Sequence, residues 1–174
     1  DPHPPGDLRS SGTGGFALVG RSALPIFHDL NSTTGQEAYG IDTEVLQGAA
    51  VLPMRARSGD EASCLNLNRA QRPRLVGVEA RELASRHAFK FLASIDGTDK
   101  QGSWHLLGRN YNNSDVVAAI IDEPTVWALG HGLGDRIRYR DERGRPFVVE
   151  IVAVIDTSIL QGNLMIAEDA YLER

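Results

Sequence analysis

The sequence predicts an α+β fold, with a mixed or antiparallel sheet, a few short helices and room for two small subdomains. Residues 116–121 form a continuous apolar run, which is typical of a buried strand. Residues 136–140 alternate Arg with Ile and Tyr, and a turn joins them to a Val- and Ile-rich segment at residues 147–155. This pattern predicts a β-hairpin. Strands and helices do not alternate regularly, which argues against a doubly wound sheet.

The beginning of the chain is rich in Pro, Gly and Ser, which predicts a flexible lead-in over residues 1–14. The domain then spans residues 15–174, with a candidate subdivision near residues 110–115. Because the chain opens on Asp1 with a linker-like stretch, we expect it to be a processed or excised part of a longer protein.

Short elements are expected in the first third of the domain. Residues 16–19 are apolar and predict a first strand. Thr34 and Glu37 have the capping-box spacing, which predicts a short helix that Gly40 ends. Residues 44–57 predict an extended segment. Its alternating Arg55 and Arg57 are expected on one face of a strand.

The middle of the chain contains the longest predicted helix, at residues 79–92, where apolar residues recur at helical spacing. His87 lies at the edge of that apolar stripe and is interpreted as a partly buried surface histidine rather than a ligand. Residues 94–109, which include Trp104, predict a loop.

The last third predicts a helix at residues 126–129, because Asp122, Glu123 and Pro124 form a favourable helix entry. The glycines of residues 130–134 are expected to end it. A short strand follows at residues 164–167, and a final helix begins at Glu168.

Composition excludes several classes of function. The chain has 174 residues, a net charge of −5 and no basic cluster, so we expect no nucleic-acid partner. Its single cysteine, Cys64, can form neither an internal disulfide nor a cysteine-based zinc site. We interpret it as a small buried side chain. The apolar runs are much shorter than the roughly 18 residues of a membrane span.

No motif predicts catalysis, a cofactor or a metal. The glycines of residues 130–134 follow a helix and open a strand, which is the reverse of a dinucleotide-binding loop. Residues 12–15 lack the lysine of a phosphate-binding loop, and residues 96–99 lack the ligands of a calcium loop. The five histidines have no metal-ligand spacing, and there is no Gly-x-Ser-x-Gly motif. We therefore expect that this domain is not an enzyme. The sequence predicts no catalytic, cofactor-binding or metal-binding residues.

Three blocks of sequence resemble a known family. Residues 55–67 read RARSGDEASCLNL and are followed by RPRLVG at residues 72–77. Residues 122–129 read DEPTVWAL, with Gly134-Asp135 and then DTSILQGNLMI at residues 156–166. Residues 11–18 read SGTGGFAL, with SALP at residues 22–25. These blocks resemble the large extracytoplasmic region of bacterial ABC transporter permeases of the FtsX-like, MacB-type family.

The resemblance implies a domain between transmembrane helices, on the periplasmic or cell-surface side of the bacterial membrane. It implies a cytoplasmic ATPase as partner of the parent permease, which is itself a membrane protein. A transported substrate or a partner protein is a further expected contact. The expected function is therefore to couple ATPase-driven motion to the handling of substrate or partner outside the membrane, without catalysis in this domain.

Two other functions remain open at this stage. A free-standing periplasmic or secreted module for a peptide, sugar or lipid would need a binding platform. Trp104, Tyr111 and Trp127 are its candidate aromatic residues, although Trp127 is expected in the core. A hydrolase is supported only by scattered Asp, Glu, His and Ser residues.

Overall fold

The computed structural model describes residues 9–56, 73–97, 102–112 and 115–174. The chain forms two compact units. The larger unit comprises Asp1–Ala17 with Met54–Arg174, and the smaller unit comprises Leu18–Pro53. Both sides of the subdivision predicted near residues 110–115 belong to the larger unit. Arg57 and Cys64 lie outside the described residues.

A mixed sheet of seven strands forms the larger unit, with the order β1-β2-β7-β4-β6-β3 and with β5 paired to β6. β2 and β7 are parallel, as are β4 and β6, whereas the other pairs are antiparallel. The strands are β1 (Arg55–Ala56), β2 (Arg74–Val78), β3 (Phe91–Ser94), β4 (Val116–Asp122), β5 (Arg136–Arg140), β6 (Pro146–Ile155) and β7 (Asn163–Ala167). Together with the short helices, this sheet confirms the predicted α+β class.

The helices of the described residues are all short. They are α1 (Thr33–Ala38), α2 (Ala80–Ser85), a 3₁₀ helix (Ser103–Gly108), α3 (Glu123–Leu129) and α4 (Glu168–Leu172). α3 begins as predicted, because the Asp122 side chain accepts a hydrogen bond from the Thr125 amide, and it ends at Gly130, whose φ is +68°. α1 is also confirmed, but Ser32 caps it rather than Thr34.

The core lies on the central strands β4, β6 and β7. Ile120, Ile121, Ile151 and Leu164 are inaccessible to solvent. Burying one such side chain stabilises the fold by roughly 1.5–3 kcal/mol. β6 is the longest strand and pairs with β4 along one edge and with both β3 and β5 along the other.

The predicted hairpin is confirmed by the antiparallel pairing of β5 with β6, in which Ile137 lies opposite Val149. The alternation along β5 places Ile137 and Tyr139 inside and Arg136, Arg138 and Arg140 outside. Among the described residues, β5 pairs only with β6. Its three arginines therefore lie on an edge strand of the sheet.

Three expected elements are wrong. Residues 16–19 form no strand, and Leu18 is 92% exposed. Within residues 44–56 only Arg55–Ala56 is a strand, because turns occupy residues 43–48. The helix expected to reach residue 92 ends at Ser85.

Positive φ angles explain that early end. His87 has a φ of 52° and Phe89 a φ of 65°, which no right-handed helix accommodates. The turn brings Ala88 and Phe89 into the core and allows Phe91 to begin β3. His87 itself is exposed rather than partly buried.

Candidate functional site at the loop between β6 and β7

The loop at residues 156–162, here called the junction loop, leads from β6 into β7. It carries the end of the second resembling block. Four other segments of the larger unit hydrogen-bond to it or to Asn163, the residue that follows it.

Asp122 attaches the junction loop to the start of α3. Its side chain is completely buried. One carboxylate oxygen accepts hydrogen bonds from the amide of Thr125, at 3.2 Å, and from the Thr125 hydroxyl. The other accepts from the Ser158 hydroxyl at 3.3 Å. Hydrogen bonds to a charged acceptor compensate for part of the cost of burying a carboxylate.

Thr125 completes this connection. Its hydroxyl oxygen accepts a hydrogen bond from the Gly162 amide at 2.8 Å. Asp122 and Thr125 therefore hold both ends of the junction loop, at Ser158 and at Gly162. Residues of the second block that lie 36 and 37 positions apart in the sequence thus meet at this point.

Asn163 extends the connection to β2. Its side-chain Nδ2 donates to the backbone carbonyls of Leu160 and Gln161, at 2.7 and 3.1 Å, which fixes the turn before β7. Its side-chain oxygen accepts from the Nε of Arg74 at 2.9 Å. The first resembling block, through Arg74, thus contacts the end of the second.

The third resembling block contacts the junction loop through Gly12. The Gly12 carbonyl accepts from the Ile159 amide at 2.8 Å. A Cβ at position 12 would lie 2.6 Å from the Thr157 carbonyl oxygen, so no larger residue fits without displacement. Gly14, with a φ of +62°, lies against the ring of Phe89, 2.6 Å from the position of a Cβ. Residues 9–14 of the predicted lead-in thus make specific contacts.

A fourth contact comes from the segment before β3. The Asp156 amide donates to the Lys90 carbonyl at 2.8 Å, and the two side chains form an ion pair at 3.3 Å. Since both side chains are largely exposed, the ion pair contributes at most about 1 kcal/mol. The backbone bond is therefore the firmer attachment.

The polar groups of this arrangement are engaged with one another. The Ser158 hydroxyl donates to Asp122 and accepts from the Leu160 amide, so its bonding capacity is used within the fold. Among residues 9–56, 73–97, 102–112 and 115–174, no group of three or more His, Cys, Asp or Glu could hold a metal ion.

The aromatic platform considered for a binding module is not formed. Trp104 is completely buried, where its indole nitrogen donates to the Ala88 carbonyl at 3.0 Å and its ring packs against Phe89 and Phe91. The expectation that Trp127 lies in the core is wrong, since it is 80% exposed. α3 turns Thr125, Val126 and Leu129 inward, which leaves Trp127 on the outer face.

Tyr111, the third candidate, lies beside the β5–β6 hairpin. Burial raises the pKa of Tyr111, and the negative charge of Glu150 raises it further against the opposing charges of Arg109 and Arg136. The Arg109 guanidinium carbon lies 5.5 Å from the Tyr111 ring centroid. Tyr111 therefore remains a neutral phenol at physiological pH, in a charged cluster on the hairpin.

Comparison with known proteins adds no family assignment: neither the protein-family models nor the curated proteins include a match to this chain. Within the described parts of the chain, no helix has the length and apolar character needed to cross a membrane.

Proposed function

We propose that this chain is an extracytoplasmic domain of an ABC transporter permease subunit, and that it couples ATPase-driven motion to substrate or partner handling outside the membrane. The resemblance of the three blocks to FtsX-like, MacB-type permeases motivates the proposal. The observation that supports it best is the junction loop, because parts of all three blocks are attached there.

A domain that transmits motion must connect its segments firmly. The N-terminal segment reaches the junction loop through Gly12, and α3 reaches it through Asp122 and Thr125. A displacement of the N-terminal segment would therefore be passed to α3 through short, directional hydrogen bonds. Packed elements of this kind move as units rather than deforming continuously.

Trp127 is the proposed contact with substrate or partner protein. It stands at 80% exposure on the helix that the junction loop holds. Exposed tryptophans are costly to leave in water and are enriched among the residues that dominate binding energy at interfaces. The proposed partners are therefore a cytoplasmic ATPase, which acts through the membrane-bound parent permease, and a substrate or partner protein that contacts α3.

The parent gene provides the first test. We expect apolar segments of about 18 or more residues on its product, outside the present chain, and a gene for a cytoplasmic ATPase alongside. A complete gene product without such segments would overturn the proposal.

Photo-crosslinking in the intact permease–ATPase complex provides the second test. A benzophenone amino acid at position 127 is expected to form a crosslink whose yield changes when ATP is added. The same probe at Leu172, which is exposed on α4, is the matched control. Gly12→Val is expected to abolish the ATP dependence, because a side chain there displaces Thr157. Equal, ATP-independent crosslinking at both positions would contradict the coupling role.

The free-standing binding module remains the second candidate. It no longer has the platform of Trp104, Tyr111 and Trp127, since Trp104 is buried. A cavity next to α4 is the observation that favours it.

A further inference from the structure

A cavity of about 160 Å³ lies next to α4, at the side of the sheet formed by β2, β5, β6 and β7. Five of the side chains that line it are aliphatic or aromatic. They are Leu75, Tyr139, Phe147, Ile166 and Tyr171. The other two are arginines, Arg140 and Arg174. The cavity thus combines an apolar wall with two cationic groups.

The walls of this cavity are fixed by contacts within the larger unit. The Tyr139 hydroxyl donates to the Pro73 carbonyl at 2.7 Å, and the Tyr139 ring packs on Phe147 with centroids 5.7 Å apart. Gly77 allows Tyr171 to lie directly over β2, since a Cβ there would be 2.9 Å from the Cβ and Cγ of Tyr171. A cavity with fixed walls binds a ligand at a low entropic cost.

The charge of Arg140 is not neutralised by an acid of the neighbouring hairpin turn. Arg140 donates to the Gly144 carbonyl at 2.8 Å, a neutral acceptor, and has no ion pair among the described residues. The adjacent Asp141 is bound by the Arg145 Nε at 2.6 Å. The Arg174 guanidinium carbon lies 5.3 Å from the Phe147 ring centroid, so its charge borders the apolar wall.

Size and charge together define the ligand class. A cavity of about 150 Å³ lined by apolar side chains accommodates benzene. Arginine binds carboxylates with its planar array of donors. We propose that this cavity binds a small organic acid, with an aromatic or branched aliphatic body against Phe147 and Tyr171 and a carboxylate near Arg140.

This site goes beyond the proposed transport function and does not depend on it. The cavity shares no lining residue with the junction loop or with Trp127. Loss of ATP-dependent crosslinking at position 127 would therefore leave the site intact, and an empty cavity would leave the coupling role intact.

Benzoate, benzyl alcohol and benzylamine are suitable probes, because they share one ring and differ in charge. Each is titrated into the ¹⁵N-labelled chain and followed by amide chemical shifts. Benzoate is expected to shift the amides of Phe147, Ile166 and Tyr171 saturably, with a dissociation constant on the order of 1 mM. Benzyl alcohol is expected to bind at least about threefold more weakly, and benzylamine not to bind.

Two variants locate the binding. Arg140→Gln removes one charge from an exposed side chain and is expected to weaken benzoate binding at least about threefold. Arg143→Gln, on the same hairpin turn but outside the cavity, is the matched control and is expected to bind as the parent chain does. Leu75→Phe is expected to fill the cavity and abolish binding while the amide spectrum remains that of a folded chain.

Three results would overturn the proposal. One is a benzoate titration that does not saturate. Another is equal binding of benzoate and benzyl alcohol, which would show that no acid is selected. The third is equal weakening by Arg140→Gln and Arg143→Gln, which would indicate general attraction of anions to the hairpin. Because both arginines are exposed, neither variant is expected to unfold the chain, and this comparison decides the matter even if Leu75→Phe does not fold.

Discussion

The larger and the smaller unit of this chain are each stabilised internally by a different kind of interaction. The larger unit buries long aliphatic side chains between strands, as Ile120, Ile151 and Leu164 illustrate. The smaller unit has no strand and exposes most of its large apolar residues, with Phe27 at 81%. Its order comes from polar contacts, such as those that join Asn31 to the backbone of Val51 at 2.7 and 2.8 Å. Burial thus stabilises one unit, and hydrogen-bonded turns stabilise the other.

The largest effect is expected from removing core volume. Ile151→Ala should lower the free energy of unfolding of the larger unit by about 2–5 kcal/mol, because it leaves a cavity in a completely buried site. Phe27→Ala removes a larger side chain from the smaller unit, yet it should change the free energy by less than about 0.5 kcal/mol. Urea unfolding followed by circular dichroism measures both. Similar losses in the two variants would contradict the comparison.

The next largest effect tests the polar contacts inside the larger unit. Asp122→Asn keeps the shape of the side chain but replaces an acceptor oxygen with a donor group. We expect a loss of about 1–3 kcal/mol in unfolding free energy, because buried donors at Thr125 or Ser158 are left poorly paired. Glu123→Gln, exposed on the first turn of α3, is the control. An Asp122→Asn variant as stable as its parent would show that the junction loop is not held by this carboxylate.

A smaller and more local effect is expected in the smaller unit. Asn31→Ala removes the bonds to Val51 and to Asp29, and we expect a local loss of about 1 kcal/mol. Hydrogen exchange should show faster exchange at the Val51 amide and no change at Ile151. Val45→Ala, an exposed position of the same unit, provides the control. Faster exchange throughout the sheet would show that the two units depend on the same contacts.

The smallest effect is expected in how the stability of the folded chain depends on acidic pH. Burial of Asp141 opposes its ionisation, but the Arg145 amide, the Arg145 guanidinium and the Arg143 amide outweigh it, and the pKa of Asp141 lies below its ordinary value. Its ionised form therefore stabilises the folded chain above the unfolded pKa of about 3.9. That stability is lost as the pH falls through the lower, folded pKa.

Asp141→Asn tests this acid dependence. Melting temperatures measured between about pH 6 and pH 2 should fall less steeply for Asp141→Asn than for the parent chain. Glu142→Gln, the exposed neighbour, should retain the parental slope. Identical slopes for Asp141→Asn and the parent would remove Asp141 as a source of the pH dependence.

The sequence predicted the central and C-terminal parts of the sheet better than the beginning of the chain. β4 and the β5–β6 hairpin were recognised because their side chains follow the period of a strand that is buried on one or both faces. Residues 16–19 are equally apolar but lack neighbouring strands. A helical period also continued through residues 86–92, where the positive φ angles of His87 and Phe89 end the helix. Local patterns do not report such backbone angles.

The candidate site could be predicted only in part. Asp122 was recognised as a helix entry, but its bond to Ser158 spans 36 positions of sequence and no local spacing indicates it. Gly12 and Gly14 were interpreted as flexible, because the groups that exclude a side chain there, Thr157 and Phe89, are distant in sequence. Trp127 was assigned to the core because it lies within a short apolar helix, whereas the inward face of α3 is set by Thr125, Val126 and Leu129.

The outward arginines of β5 have a consequence for how copies of this chain behave at high concentration. A bare strand edge is a template on which another chain adds its own strand, and this is a common route to aggregation. Two β5 edges that approached each other would bring Arg138 and Arg140 of both copies into like-charge contact. The same alternation that fixes the hairpin register thus discourages edge-to-edge self-association, and salt that screens these charges weakens this protection.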